Sequence, residues 1–258
     1  MKQAENFKHI EVESNRWFGN ALWQVTGNVA IKVNRTNPPL TTPEIDASFD
    51  LPYTRLPHPR YNGKTIPAYA MIRHSVNMHR GCFGGCAFCT ISAHQGKFIA
   101  SRSKASILRE VKQIIAMDDF KGYISDLGGP SANMYAMHGN DLSLCKKCVR
   151  PSCLHPKPCN NLNNNHAQLL DIYHEVDRLK EIKKSFIGSG VRYDLAMHKC
   201  GDKNIEQINH QYIEELIRFH VSGRLKVAPE HTNEVVLNLM RKPSFNLFRQ
   251  FNELFNTI

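Results

Sequence analysis

The fold of this chain is decided by one stretch, Cys82-Phe83-Gly84-Gly85-Cys86-Ala87-Phe88-Cys89. It places three thiols within eight residues, with three residues between the first two and two between the last two. Three thiolates on a short loop can hold three corners of a cubane cluster and leave the fourth iron without a protein ligand. The neighbouring glycines permit the unusual backbone angles that such a loop needs. The motif predicts a 4Fe–4S cluster with one open iron.

A zinc ion is the main alternative for these thiols. Structural zinc sites usually show paired C-x2-C spacing with a fourth ligand close in sequence. His79 and His94 are both available for that fourth position. The spacing alone therefore leaves the two metals open.

Strand and helix signals alternate from about residue 68 onward. Strands are predicted over 68–76, 122–127, 185–188 and 224–228, and helices over 103–117, 169–179, 208–217, 232–240 and 245–255. Such repeats predict an α/β protein with a parallel sheet, whose functional loops lie at the carboxyl ends of the strands. The cysteine motif follows the first of those strands, and the candidate ligand-binding residues follow the other three.

The two ends of the chain set the expected domain organisation. Residues 1–66 are predicted to be the end of an N-terminal domain, with some structure over 17–33, followed by a proline-rich linker or wrapping arm. Residues 67–258 are predicted to form the core, with a cysteine-rich insertion at about 138–165. No strand is predicted after the last helix, so we expect a core truncated after about four strand–helix units. A small open sheet, complete in itself, is the alternative.

Composition narrows the class of protein. The chain has no apolar run of about 20 residues, the length a membrane-spanning helix requires, and no apolar signal-peptide core. Eight cysteines without such a signal indicate a reducing compartment, so we expect a cytoplasmic protein without a membrane partner. The net charge of +10 is spread along the chain. A solvated basic surface and an RNA or nucleotide partner both remain open.

The residues around the three cysteines carry a specific resemblance. The pattern C-x3-C-x-aromatic-C after a first strand resembles the signature of the radical SAM superfamily, and segments 78–90, 125–135, 189–194 and 226–232 resemble its YgiQ-like branch. The resemblance covers about residues 50–258. It implies a partial (β/α)6 barrel in which S-adenosylmethionine (SAM) chelates the open iron. One electron from the cluster then yields methionine and a 5′-deoxyadenosyl radical, which abstracts hydrogen from a substrate.

The resemblance also implies roles for single residues. Cys82, Cys86 and Cys89 match the cluster ligands. Phe88 matches an aromatic residue whose neighbourhood contacts adenine, although packing of the loop is an equal alternative. An electron donor such as flavodoxin or ferredoxin is the partner that this chemistry implies.

The expected SAM contacts follow the later strands. Gly128-Gly129-Pro130 matches a Gly-Gly-Glu segment that binds the SAM amino group, with Pro130 replacing the acidic residue. Ser189 and Arg192 match contacts to the SAM ribose and carboxylate, and Glu230 could accept from ribose hydroxyls. Each position has a structural alternative: a plain turn at Gly128-Gly129, an ion pair of Arg192 with Asp194, and a charge at a helix start for Glu230.

A second group of four cysteines lies in the insertion, at Cys145, Cys148, Cys153 and Cys159. This segment is rich in Pro, Asn and basic residues and poor in apolar ones, so we expect a metal to order it. A structural zinc ion, an auxiliary iron–sulfur cluster and uncoordinated thiols are all open. Cys200 stands alone and is expected to be an ordinary thiol.

Three functions therefore compete. The leading one is a radical SAM enzyme of undetermined substrate. The second is a zinc-stabilised RNA-binding protein without catalysis, against which stands the lack of a recognisable RNA-binding pattern. The third is an inactive fragment that retains only cluster binding.

Overall fold

Helices and short strands alternate along the chain, which the computed structural model describes over residues 2–258. The helices are α1 (Lys2–Ser14), α2 (Thr42–Phe49), α3 (Pro67–Ile72), α4 (Ile91–Gln95), α5 (Lys104–Ile115), α6 (Leu142–Lys147), α7 (Ala167–Asp177), α8 (Tyr193–Ala196), α9 (Lys203–Phe219), α10 (Glu234–Met240) and α11 (Phe245–Thr257), with a 3-10 turn at Pro59–Tyr61. The strands are β1 (Leu22–Thr26), β2 (Val29–Val33), β3 (Ser75–Asn77), β4 (His79–Arg80), β5 (Ala100–Ser101), β6 (Tyr123–Ile124), β7 (Asp126–Gly128), β8 (His138–Gly139), β9 (Leu162–Asn163) and β10 (Lys184–Ser185).

The helices form where the sequence predicted them. In α5 the apolar residues Ile107, Val111 and Ile114 share one face and are fully buried. The Ser103 hydroxyl accepts a hydrogen bond from the Ser106 backbone N–H at 3.1 Å and so caps the helix start. The helices predicted over 169–179, 208–217, 232–240 and 245–255 appear as α7, α9, α10 and α11.

Three short parallel segments lie side by side at the centre. β3 pairs with β7 and β6 pairs with β10, both in parallel register. The Leu127 N–H also donates to the Phe186 carbonyl at 2.9 Å, which joins the second segment to the third. The carboxyl ends of β3, β7 and β10 therefore meet at one edge, and the α/β class is confirmed.

Two predicted strands differ in the structure. The segment predicted over 68–76 begins as α3, because Pro67 at the first helical turn favours a helix, and only Ser75–Asn77 is extended in the sheet. Residues 224–228 form no strand, although the Lys226 carbonyl accepts from the Val191 N–H at 2.8 Å. Positive φ angles at Ala228 and Glu230 turn the backbone away from an extended path. The described residues show no closed barrel.

The core has two parts. The larger cluster fills the space between the parallel strands and helices α5, α7, α9 and α11. The smaller cluster comprises Phe83, Met134, Met137, Leu154 and Leu195 and joins the cysteine loop to the insertion. The loop is therefore packed on the side that faces the second cysteine group.

Several parts of residues 2–66 contact the core. The Asp46 carboxylate accepts from the Ser103 backbone N–H at 2.9 Å, and Arg55 forms an ion pair with Glu110. The Arg102 guanidinium lies 4.1 Å from the centre of the Phe49 ring. The β1–β2 hairpin, by contrast, is mostly exposed. Within residues 2–258, no helix has both the length and the apolar character needed to cross a membrane.

The last helix is expected to be essential for stability. Phe251 of α11 is 2% exposed and its ring lies 5.6 Å from that of Tyr193. Phe251→Ala is expected to lower the free energy of unfolding by about 3–5 kcal/mol, the usual cost of emptying a buried aromatic site. Phe219→Ala on α9, where the side chain is 54% exposed, is the matched control and should cost about 0.5 kcal/mol or less. Urea unfolding with an unchanged m value is the measurement, and equal losses in the two variants would contradict this packing.

Candidate functional site

The cysteine loop follows β3 and is held through its backbone. Three successive carbonyls, those of Phe83, Gly84 and Gly85, accept hydrogen bonds from two separate parts of the chain. The donors are the Cys153 N–H at 3.0 Å, the Ser152 hydroxyl at 2.7 Å and the Arg241 guanidinium at 3.1 Å. These bonds fix the loop without using any of its thiols.

Two glycines let the loop pack this closely. Gly85 has a φ of 58°, a left-handed angle that favours glycine. A Cβ there would also collide with the Pro151 carbonyl and lie 2.9 Å from Ser152 Cα. At Gly84 a Cβ would lie 2.7 Å from Arg192 Nη1 and 3.4 Å from Cys82 Sγ. The glycines predicted to shape the loop therefore also make room for its neighbours.

The three predicted cluster ligands are partly buried and carry free thiols. Burial raises the pKa of the Cys82 thiol. Within residues 2–258, no three His, Cys, Asp or Glu side chains converge on a position where they could hold one metal ion.

A buried ion pair lies beside these thiols. Arg192 Nε donates to Asp194 Oδ1 at 2.8 Å, and Arg192 Nη2 donates to Asp194 Oδ2 at 2.5 Å. The two side chains are about one-tenth exposed. Arg192 Nη1 lies 3.5 Å from Cys86 Sγ. Burial lowers the pKa of Arg192, but the Asp194 carboxylate raises it by more, so the pKa of Arg192 lies above its usual value. The ion pair with Asp194 foreseen from the sequence is thus present, but buried.

Asn133 fixes the backbone at Arg192. Its side-chain oxygen accepts from the Arg192 N–H at 2.8 Å, and its amide nitrogen donates to the Arg192 carbonyl at 3.0 Å. The same amide nitrogen lies 3.2 Å from His166 Nε2. His166 Nδ1 is 2.6 Å from Asn209 Oδ1, and the imidazole stacks on Tyr212. The position of Arg192 therefore depends on a buried polar network.

Gly128 and Ser189 meet at the carboxylate of Asp126. Asp126 Oδ1 accepts from the backbone N–H groups of Gly188 and Ser189, at 2.8 Å and 3.0 Å, and Oδ2 accepts from the Ser189 hydroxyl. A Cβ at Gly128 would lie 2.6 Å from Asp126 Oδ1. The two positions predicted to contact SAM are thus brought together at the carboxyl ends of neighbouring strands.

Gly129 lies against the ring of His79. A Cβ at Gly129 would be 2.7 Å from His79 Nδ1, so only glycine allows this contact. His79 is fully buried, and neither ring nitrogen has a hydrogen-bond partner among the described residues. Burial lowers the pKa of His79 to about 4, so the imidazole is neutral near pH 7.

The remaining predicted positions are less closely associated with the loop. Phe88 is 53% exposed. Glu230 is exposed and lies 3.8 Å from Lys242 Nζ. Cys145 and Cys148 lie in and just after α6, and Cys153 and Cys159 follow in the insertion, where the backbone of Cys153 reaches Phe83. Cys200 is exposed.

Two cavities border the loop. One of about 710 Å³ is mostly apolar and is lined by Phe83, Phe98, Tyr135 and Met137, together with Cys145, Cys153 and Cys159. The other, of about 470 Å³, has polar and apolar walls in about equal parts and is lined by Arg192, Asp194 and Arg241, with Lys157, Lys199 and Lys242 also on its wall. Phe83 of the cysteine loop lines the first cavity, and Arg192, whose Nη1 lies 3.5 Å from Cys86 Sγ, lines the second.

Several site residues were missed in the sequence. Asp126 and Asn133 lie within segment 125–135, and a polar side chain at the end of a strand was the available signal. Arg241 reaches the loop across 156 residues, so no local pattern could reveal it. His79 was expected at most to be a metal ligand, whereas the structure places it against Gly129.

The loop should not tolerate a side chain at residue 85. Gly85→Ala is expected to lower the free energy of unfolding by more than about 1–2 kcal/mol, the cost of a left-handed backbone for a residue with a Cβ, because the collision with Pro151 adds to it. Gly190→Ala is the matched control, since a Cβ there meets nothing within 4 Å. Chemical unfolding measures both, and a neutral Gly85→Ala would contradict this loop geometry.

The buried network should make stability depend on pH. Burial lowers the pKa of His166 from 6.5 to about 4, so the unfolded chain binds the proton more tightly than the folded one. Stability is therefore lost as the pH falls from about 6.5 towards 4, by up to about 3 kcal/mol for this one group.

His166→Gln tests this dependence, because glutamine does not titrate in this range. The variant should be less stable at pH 7 but should lose less stability on acidification to pH 5 than the unchanged chain. Equilibrium unfolding at both pH values is the measurement. An identical loss in the two proteins would show that His166 does not contribute.

Comparison with known proteins gives the site its context. Residues 1–75 match the family described as Radical SAM N-terminal. A UPF0313 protein of Porphyromonas gingivalis is 63% identical over 257 residues, covering 100% of this chain and 40% of the relative. A UPF0313 protein of Bacteroides thetaiotaomicron is 62% identical, covering 100% and 42%, and one of Vibrio vulnificus is 46% identical, covering 96% and 31%.

The chain thus spans less than half the length of these relatives. The similarity nevertheless extends over nearly all of its own residues, including the cysteine loop and the segments that follow the later strands. The resemblance found in the sequence is therefore confirmed: nearly all of this chain is similar to part of the UPF0313, or YgiQ-like, proteins, and residues 1–75 match the radical SAM N-terminal family.

Proposed function

We propose that this chain binds a 4Fe–4S cluster through Cys82, Cys86 and Cys89 and supports the reductive cleavage of SAM as part of an enzyme. One observation carries the proposal: a loop with three free thiols, at the carboxyl end of the first parallel strand, whose backbone is already held by other segments. Such a loop offers three soft ligands and no fourth, which leaves one iron open to a second ligand.

The residues present fit a cluster of this kind. The donors are all sulfur, which suits iron–sulfur centres. A thiolate-bound cluster carries negative charge, and the buried guanidinium of Arg192 lies 3.5 Å from Cys86 Sγ. The absence of a Cβ at Gly84 keeps the approach between Arg192 and Cys82 open. When bound, the cluster supplies the single electron that cleaves SAM.

The protein residues would bind and orient SAM. The strand ends at Gly128 and Ser189 offer backbone groups and a hydroxyl, and Asp126 holds Ser189 in position. Pro130 lacks the carboxylate that the resemblance leads one to expect, and Asp126 supplies one four residues earlier, at the start of β7. Arg192 already has Asp194 as its partner. We therefore assign Arg192 two roles: it balances the charge of the thiolates, and it holds the SAM carboxylate.

Two positions receive weaker support. Phe88 is exposed, so contact with adenine would need a ligand that covers it. Glu230 pairs with Lys242 at 3.8 Å and would have to exchange that partner for ribose hydroxyls. Both remain candidate contacts, and neither carries the proposal.

The substrate class follows from charge. The cavity of about 470 Å³ has Lys157, Lys199, Arg241 and Lys242 on its wall, against Asp194 and Glu234. An excess of cations suits an anionic substrate, and we propose a nucleotide or RNA. A small acidic electron carrier such as flavodoxin or ferredoxin would supply the electron, and the reducing cytoplasm would keep the thiols free.

The metal content tests the cluster directly. Anaerobic reconstitution of the whole protein with iron and sulfide should give a brown protein. Cys86→Ala should remove about four irons per chain, because one lost corner ligand leaves too few to retain the cubane. Cys200→Ala removes an exposed thiol outside the loop and should leave the iron unchanged.

Product analysis tests the chemistry. With dithionite and SAM, the reconstituted protein is expected to release 5′-deoxyadenosine, and the Cys86→Ala variant is not. A colourless protein with stoichiometric zinc at this loop would instead favour the zinc-stabilised RNA-binding alternative. Full iron without 5′-deoxyadenosine would contradict the cleavage and leave only cluster binding.

A further inference from the structure

The second cysteine group lies in a segment that has almost no apolar core of its own. Of the apolar side chains in residues 138–165, only Leu154 is buried. Short backbone bonds shape the segment around its thiols: the Cys148 N–H donates to the Cys145 carbonyl at 3.1 Å, and the Cys159 N–H to the Cys153 carbonyl at 2.8 Å. A segment of this composition needs something other than hydrophobic burial to hold it.

A buried lysine lies next to these thiols. Lys97 is 1% exposed, and its Nζ lies 3.4 Å from Cys148 Sγ and donates to the Arg150 carbonyl at 2.8 Å. Among residues 2–258, no carboxylate lies within ion-pair distance of this ammonium group. A buried cation is costly unless negative charge accompanies it. The neighbouring sulfur atoms are the available source of that charge.

A second polar group approaches the cysteines from the other side. The Asn161 amide nitrogen lies 3.4 Å from Cys145 Sγ. At Gly139 a Cβ would lie 2.7 Å from that same nitrogen. N–H donors that point at cysteine sulfur are typical of the surroundings of bound thiolates.

We propose that Cys145, Cys148, Cys153 and Cys159 together bind a thiophilic metal centre, with Lys97 as its buried counter-charge. A metal keeps its thiol ligands deprotonated, so four thiolates around either a zinc ion or an iron–sulfur cluster leave a net negative charge. That charge accounts for a buried ammonium without a carboxylate. Because no three of these thiols converge on a single-ion position, metal binding draws them together and orders the segment.

This centre would also brace the first cysteine loop. Ser152 and Cys153 donate to the carbonyls of Gly84 and Phe83, and the Pro151 carbonyl faces Gly85. These residues lie at or just before the third cysteine of the second group. A metal that fixes this stretch therefore fixes two of the three hydrogen bonds that hold the loop. The inference does not depend on the cluster or on SAM cleavage.

A set of cysteine variants in the whole protein separates the two groups. A triple variant, Cys82→Ala, Cys86→Ala and Cys89→Ala, removes the first cysteine group. Any metal that this variant binds is therefore held elsewhere in the chain. Adding Cys145→Ser and Cys148→Ser to this variant should remove about one zinc ion per chain, or about four irons with matching sulfide. Adding Cys200→Ser instead, at an exposed thiol, should remove none. Zinc and iron analysis, with sulfide assay, distinguishes the two kinds of centre.

A single substitution outside the cysteines tests the proposal without removing any possible metal ligand. Lys97→Met keeps all four thiols and the approximate length of the side chain but removes the charge. It is expected to lose its metal to a chelator about 10-fold more readily or more, the usual effect of removing a group that supports metal ligands. Equal metal in the triple variant with and without the two serines would overturn the proposal, as would a triple variant that holds neither zinc nor iron.

Discussion

The site depends on the backbone hydrogen bonds made by residues 83–85. Three consecutive carbonyls of the cysteine loop accept from a backbone N–H, a hydroxyl and a guanidinium that come from distant parts of the chain. The Arg241 that contacts Gly85 is in turn paired with Glu11, so the N-terminal helix, the loop and the end of α10 form one unit. Holding the loop by its backbone leaves the cysteine side chains available as ligands.

Buried positive charge is the second constraint. Arg192 and Lys97 each place a cationic group within about 3.5 Å of a cysteine sulfur, and each belongs to a different cysteine group. Arg192 has a carboxylate partner in Asp194, whereas Lys97 contacts a carbonyl, a sulfur and the Phe98 ring but has no carboxylate partner among the described residues. Lys97 is therefore costly with neutral thiols and favourable with thiolates, because a charge in a poorly solvated site needs an opposite charge nearby. Each of the two proposed metal centres thus has a buried cationic side chain next to one of its cysteine sulfurs.

Local patterns predicted the elements better than their arrangement. The amphipathic spacing of residues 103–117 and 208–217 placed helices correctly, because burial of one apolar face is a property of the segment itself. Residues 224–228 were predicted to be a strand but form none, since a strand exists only where a neighbour pairs with it. The proline-rich region was expected to hold a linker or an arm, and contacts such as Asp46 with Ser103 lie too far apart in sequence for a local pattern to predict.

The amino-acid sequence by itself determined the resemblance to radical SAM proteins, the thiols of the first loop and the strand ends that carry Gly128 and Ser189. These follow from spacing along the chain, which a motif preserves. Only the tertiary structure decided which side chains surround them: Arg241 at Gly85, Asn133 at Arg192, His79 at Gly129 and Lys97 at Cys148. Such contacts join residues that are far apart in sequence, and they arise from burial and the satisfaction of polar groups, for which no local pattern exists.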